Sequence, residues 1–199
     1  TGASSSGVSA ATAPENGNTG KHLAVGAETD EVWSQQQKLF ANDGDGSDSF
    51  GDGVAVSGDS TTVLIGASDD DNLNGEEAGS AYVFTDSGGE WIRQQKLLAE
   101  DGDSADTFGV SAAISDDGTT ALIGASTDGN PNGNDAGAVY VFTETDGEWT
   151  QRQKLVAEDG DSEDFFGAGL SISNDGTIAL IGGTGADNSS GKDTGAVYV

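Results

Sequence analysis

A strict period of 58 residues constrains this chain more than any other feature. Trp33, Trp91 and Trp149 are 58 apart (91 − 33 and 149 − 91), and Phe50, Phe108, Phe166 and Tyr82, Tyr140, Tyr198 keep the same spacing without insertion or deletion. A repeat of fixed length implies like units stacked on like units, each burying a face it could not bury alone. The units divide as 33–90, 91–148 and 149–199, preceded by a Ser/Thr/Gly-rich stretch, 1–32, that reads as a degenerate partial repeat or linker within the same domain. "LAV" at 23–25 occupies the same phase as "VYV" at 197–199.

Within a unit the local patterns are those of strands. "WIRQQKL" (91–97) alternates, placing Trp91, Arg93, Gln95 and Leu97 on one face. "FGVSAAIS" (108–115) is rich in small residues, as where backbones crowd, and "DDGT" (116–119) is a tight-turn signal. "TALIGA" (120–125) is apolar throughout, hence buried on both faces, and "AVYVF" (138–142) is β-branched and aromatic. No segment has a helical period, and 32 glycines favour short strands and turns over helices. The expected fold is all-β: a β-propeller-type array of four-stranded antiparallel blades. The third unit stops before another "WxQxQKL" strand, and three units are fewer than the roughly four to eight blades of closed propellers. Completion is expected from a longer chain, or from "WSQQQKL" (33–39) of another copy capping an open sheet edge.

The net charge of −28, from 35 acidic against 7 basic residues, repels nucleic acid and anionic membranes. Regular apolar strands argue against disorder, so the charge points to a folded protein adapted to high salt, the habit of a halophile and specifically a haloarchaeon. The absence of cysteine removes disulfides, thiol nucleophiles and cysteine zinc sites. No apolar run is long enough for a transmembrane helix, so membrane insertion is not expected. Residue 1 is Thr, which reads as a mature or trimmed product.

The strands "FGVSAAIS…TALIGAS…GAVYVF" (108–142), with "FGDGVAVS…TVLIGAS…GSAYVF" before and "FGAGLSIS…IALIGGT…GAVYV" after, resemble the FG-GAP repeat of integrin α-subunit propellers and microbial surface proteins. The "W-x-Q-x-Q-K-L" strand is similar to the bacterial and archaeal subgroup. The resemblance covers about residues 20–199 and implies a propeller on an extracellular or cell-surface protein, used in adhesion or assembly. Calcium-binding repeats of that family carry an Asp-rich loop between the "FG" and "GAP" strands. Here the corresponding turns, 57–61, 115–119 and 173–177, are too short for it.

A different acidic loop precedes each "FG". It places Asp43, Asp45 and Asp48, then Asp101, Asp103 and Asp106, then Asp159, Asp161 and Asp164 at relative positions 1, 3 and 6. Calcium takes about six to eight oxygen ligands from flexible, Gly-punctuated loops, so these nine carboxylates are candidate calcium ligands. The other reading is an acidic turn whose Asp side chains cap backbone N–H groups. Lys38, Lys96 and Lys154 recur on the strand beside these loops, where they would neutralise them or hold a partner's carboxylate. The tryptophans could stack on sugars or pack between blades. His22 has no catalytic company, and Asn188-Ser189-Ser190 is a glycosylation sequon. No nucleophile, base and orienting group come together in the sequence. The expected function is therefore non-catalytic: a halophile's extracellular or cell-surface protein acting in adhesion or matrix assembly on a protein or glycan ligand. The alternative is a subunit of an extracellular filament or halophilic virus spike, joined head-to-tail to copies of itself.

Overall fold

The computed structural model describes residues 34–199. Trp33, His22 and the whole of 1–32 lie outside the described residues. Eleven strands are present: β1 (Phe50–Val56), β2 (Thr62–Ala67), β3 (Ser80–Asp86), β4 (Trp91–Leu97), β5 (Ser111–Ile114), β6 (Thr120–Ala125), β7 (Ala138–Thr145), β8 (Glu148–Leu155), β9 (Phe166–Ile172), β10 (Ala179–Gly183) and β11 (Ala196–Tyr198). No helix occurs among the described residues. The fold is all-β, with antiparallel sheets ordered β1-β2-β3-β4, β5-β6-β7-β8 and β9-β10-β11. These are propeller-type blades.

The sheets run one strand out of phase with the sequence repeats. β4 begins the repeat at Trp91, yet it pairs with β3 of the repeat before, Tyr82 opposite Lys96. β8 pairs with β7 in the same register, Tyr140 opposite Lys154. The cause is loop length. Asp86 and Trp91 face each other across a short hairpin turn, whereas Leu97 is separated from Phe108 by the whole acidic loop. A short turn closes a hairpin at small entropic cost.

Each blade has an aromatic face and an aliphatic face. Leu64, Ala81 and Val83 of the first blade pack on Phe108, Ile114, Ile123, Tyr140 and Phe142 of the second. Leu122 and Val139 of the second pack on Phe166 and Ile181 of the third. The aromatic rings meet edge-on, Phe50–Tyr82 at 5.4 Å, Phe108–Tyr140 at 5.3 Å and Phe166–Tyr198 at 5.1 Å between centroids. This geometry suits the quadrupoles of the rings.

Glycine sets the spacing between blades. A Cβ on Gly66 would lie 1.8 Å from the carbonyl oxygen of Gly109 in the next blade, and one on Gly124 would lie 2.3 Å from that of Gly167. The obstacle is backbone, which cannot swing aside. Gly66→Ala is therefore expected to destabilise by about 1–3 kcal/mol, the range for overpacking, read as a lower urea midpoint than that of Gly46→Ala, where a Cβ meets nothing.

Candidate functional site: the acidic interblade loops

The acidic loops 98–107 and 156–165 lie against the loops that follow β2 and β6. Ala105, Thr107 and Phe108 donate backbone N–H bonds to Glu76, Glu77 and Ala78, and Glu163, Phe165 and Phe166 donate to Asn134, Asp135 and Ala136. Asn side chains add to the weave. Asn74 Nδ2 donates to Ala99 O and Asn132 Nδ2 to Ala157 O, both at 2.7 Å. Asn72, Asn130 and Asn188 each donate Nδ2 back across their own loop, to Gly79, Gly137 and Gly195 carbonyls at 2.8, 2.9 and 2.9 Å. The asparagine of the sequon is thus the third member of a structural set.

The nine candidate carboxylates separate into three tasks. Asp48, Asp106 and Asp164 accept the backbone N–H of Asp45, Asp103 and Asp161 through Oδ2, at 2.5, 2.6 and 2.8 Å. Asp106 and Asp164 are buried. Each sits between two residues of positive φ, such as Ala105 (66°) and Thr107 (55°), so the side chain closes a turn whose backbone is strained for a residue with a Cβ. Asp45, Asp103 and Asp161 contribute the bonded N–H and leave their carboxylates exposed. Asp43 and Asp101 turn to basic residues of the neighbouring outer strand. Arg93 and Lys96 (3.3 Å) meet Asp43, and Lys154 meets Asp101 at 2.9 Å. Asp159 lies beside Tyr198, whose hydroxyl pKa is raised by burial and by that carboxylate.

The geometry adds two carboxylates that the loop pattern does not contain. Asp70 and Asp128 are 2% and 1% exposed. Lys96 Nζ lies 2.9 Å from Asp70 Oδ2 and 5.2 Å from the centre of the Tyr82 ring. Lys154 Nζ lies 2.8 Å from Asp128 Oδ2 and 5.2 Å from the Tyr140 ring, and Tyr140 OH donates to the same Oδ2 at 2.8 Å. The lysine is thus a tethered cation between an inner and an outer carboxylate. Burial works against the charge of Lys154, but hydrogen bonds to Asp128 and Asp101 outweigh it and raise its pKa. The signal for Asp70 and Asp128 is present in the sequence: both follow the "IGAS" strand at the repeat spacing, with Ala186 in the third copy.

The nine carboxylates are engaged separately in this structure. One carboxylate of each loop folds back onto backbone and another, in the first two loops, faces a basic side chain, so the set does not converge. No three His, Asp or Glu side chains come together as a metal would need among the described residues. The short turns between the first two strands of each blade are also self-contained. Asp59, Asp117 and Asp175 accept the N–H of Thr61, Thr119 and Thr177 at 3.0, 3.1 and 3.2 Å. Hydrogen bonds from Ser57 and from Ser115 lead the causes that lower the pKa values of Asp59 and Asp117.

The pH response of the outer pair has a definite sign. Burial pushes the Asp101 carboxyl up, but the hydrogen bond and charge of Lys154 outweigh it and hold the pKa below its ordinary 3.8. A lowered folded-state pKa means stability present above the unfolded value and lost as pH falls through the folded one. Asp101→Asn is expected to be less stable than the parent at neutral pH, with the gap closing below 3.8. Urea midpoints from about pH 7 to about pH 2 at constant salt measure it. Asp106 acts in the opposite sense. Burial, reinforced by Asp128, raises its pKa, so its charge costs stability at neutral pH and that cost fades on acidification.

Stacked four-stranded blades, glycine-spaced and joined by hydrogen-bonded acidic loops, define a propeller-type repeat protein. The sequence model of the FG-GAP repeat matches residues 33–84, 91–142 and 149–199. The chain belongs to the FG-GAP repeat family. No curated protein matches the sequence. Among solved structures, the chain is similar to Kuenenia stuttgartiensis hydrazine synthase at a TM-score of 0.45 and 12% identity, over 76% of this chain and 34% of that one. It spans about a third of that protein's length.

Proposed function

We propose that this protein is a non-catalytic binding module on the outer surface of a halophile, of the microbial W-x-Q-x-Q-K-L subgroup and haloarchaeal in origin. It acts in adhesion or matrix assembly. The observation that carries this reading is the woven loop layer: the acidic loops 98–107 and 156–165 are each locked to the loop that follows the second strand of the preceding blade by backbone and asparagine hydrogen bonds. A layer fixed in that way offers a continuous polar surface at little ordering cost, which favours recognition of a protein or glycan. The family and the absence of a membrane-crossing helix among the described residues accord with an extracellular setting. Dense carboxylates on such a surface repel one another, and salt screens that repulsion.

Two measurements test the reading. Trp fluorescence during dialysis from molar salt should show cooperative unfolding as salt is removed. Immobilised glycans and purified envelope proteins in molar salt should include one that binds saturably, with binding lost when Glu76, Glu77, Asp103 and Asp135 are replaced by Ser. A fold indifferent to salt contradicts the halophilic part. Binding that survives loss of the loop carboxylates contradicts the surface assigned to it.

A further inference from the structure

The two loop seams between blades put asparagine before glycine at the same place. Asn74-Gly75 and Asn132-Gly133 share one phase of the repeat, and the third copy has Ser190-Gly191 there. The fold dictates both halves of the pair. The asparagine is the donor across the seam: Asn74 Nδ2 reaches Ala99 O and Asn132 Nδ2 reaches Ala157 O, each at 2.7 Å, and both alanines are buried. The next residue has to be glycine. Gly75 has a φ of 144° and Gly133 of 145°, and a Cβ there would lie 2.1 Å from Ser104 Oγ or 2.0 Å from Ser162 Oγ.

Asparagine before glycine is the pair whose side-chain amide is most easily lost, because no Cβ on the second residue hinders attack by its nitrogen. The glycine N gives up its proton to a solvent base and attacks the asparagine Cγ. The Cγ–Nδ2 bond breaks, and the amide nitrogen leaves as ammonia with a proton from water. Water then opens the cyclic imide at either carbonyl, giving aspartate or isoaspartate. Water is the one co-reactant, and nothing is oxidised or reduced.

In the folded chain the nucleophile and the leaving group are both held. Gly75 N–H donates to Asn72 O at 3.1 Å and Gly133 N–H to Asn130 O at 2.9 Å. Asn74 N–H donates to Asn72 Oδ1 at 2.8 Å and Asn132 N–H to Asn130 Oδ1 at 3.0 Å, which fixes the backbone on the other side. The Nδ2 groups are committed to the carbonyls across the seam. We propose that Asn74 and Asn132 are latent deamidation sites, kept intact by the same interblade hydrogen bonds that they supply, so that each opening of a seam exposes it to irreversible conversion. Both side chains are half-buried, so water reaches them once the bond opens. The product cannot rebuild the seam. A carboxylate only accepts hydrogen bonds, so it faces the carbonyl oxygen of Ala99 or Ala157 with no proton between them. It also adds negative charge beside loops already rich in it. Conversion at one seam thus loosens the contact between two blades.

Glycines on the facing acidic loops isolate the lock. Gly102 N–H donates to Ala99 O and Gly160 N–H to Ala157 O, both at 3.4 Å, which brings each glycine against the asparagine amide. A Cβ on Gly102 would lie 2.7 Å from Asn74 Nδ2, and one on Gly160 would lie 2.8 Å from Asn132 Nδ2. The obstacle is the end of a side chain, so the amide gives way rather than the backbone. Gly102→Ala should therefore displace the first amide and Gly160→Ala the second, each leaving the other seam as its control.

This inference does not depend on the surface-binding reading, and its test is separate. The unaltered protein and both variants are kept folded in molar salt at mildly alkaline pH, beside unaltered protein unfolded in urea. Mass spectrometry with isoaspartate detection follows the peptides that hold each pair. Both pairs in the folded parent should convert at least about tenfold more slowly than in the unfolded chain, since reaction waits on local opening. Gly102→Ala should raise the rate at Asn74 at least about tenfold and leave that at Asn132 unchanged, and Gly160→Ala should do the reverse. Asn74→Asp, the product in fixed form, should have a lower urea midpoint than the parent. Equal rates in the folded and unfolded parent, a variant that changes neither site or speeds both alike, or an Asn74→Asp midpoint equal to the parent's would each overturn the proposal.

Discussion

Replacing Lys154 with methionine will cost about 3 kcal/mol, because it leaves a buried carboxylate without its counter-ion. Asp128 is 1% exposed, and Lys154 is the basic group paired with it, at 2.8 Å. Methionine keeps the aliphatic stem and its packing, so the loss reads the charge rather than a cavity. The companion Asp128→Ala/Lys154→Met variant should recover most of the loss, since no buried charge remains and Asp101, 55% exposed, returns to water. The third blade already carries Ala186 at the position of Asp128. Urea midpoints of the parent, the two singles and the double give the coupling directly. A double no better than Lys154→Met would mean that the loss does not come from leaving the Asp128 carboxylate without its counter-ion.

Phe108→Ala should cost about 3–5 kcal/mol, the range for a large buried aromatic. Phe108 is fully buried between the first two blades, with ring centroids 5.3 Å from Tyr140 and 6.0 Å from Phe142. Its repeat counterpart Phe50 makes the same edge contacts, 5.4 Å to Tyr82 and 6.3 Å to Phe84, on a face only half-covered among the described residues. Phe50→Ala should therefore cost much less. Equal losses would contradict the assignment of the core to the interfaces between blades.

Much of this architecture is legible in the sequence, for local reasons. A period without insertions exposes the strands as recurring patterns, and "IGAS" and "VYVF" are buried because they are apolar and β-branched at each recurrence. The partnership of the strands is less legible, because pairing depends on contacts distant in sequence. Trp91 opens a repeat but completes the previous sheet. The short "TDSGGE" and "TETDGE" turns carry that information, since they close hairpins where the acidic loops cannot. The loop carboxylates show the same limit. Spacing alone leaves Asp101, Asp103 and Asp106 as metal ligands or caps. Only the fold shows that Lys154 comes across from the next strand to Asp101 and that Asp106 turns back onto the Asp103 N–H. Asp70 and Asp128 sit outside the acidic run, so their recurrence beside the lysines becomes meaningful only once strand and loop are adjacent.

The central claim is that tethered lysines and backbone N–H groups, rather than a metal ion, hold these loops. Thermal unfolding in molar salt, recorded with calcium and then with a chelator, tests it most directly. The account expects one unfolding midpoint under both conditions, since ligands that bind only the folded state raise it. A midpoint that rises with calcium and falls on chelation would contradict the account and return the loop carboxylates to the role of metal ligands.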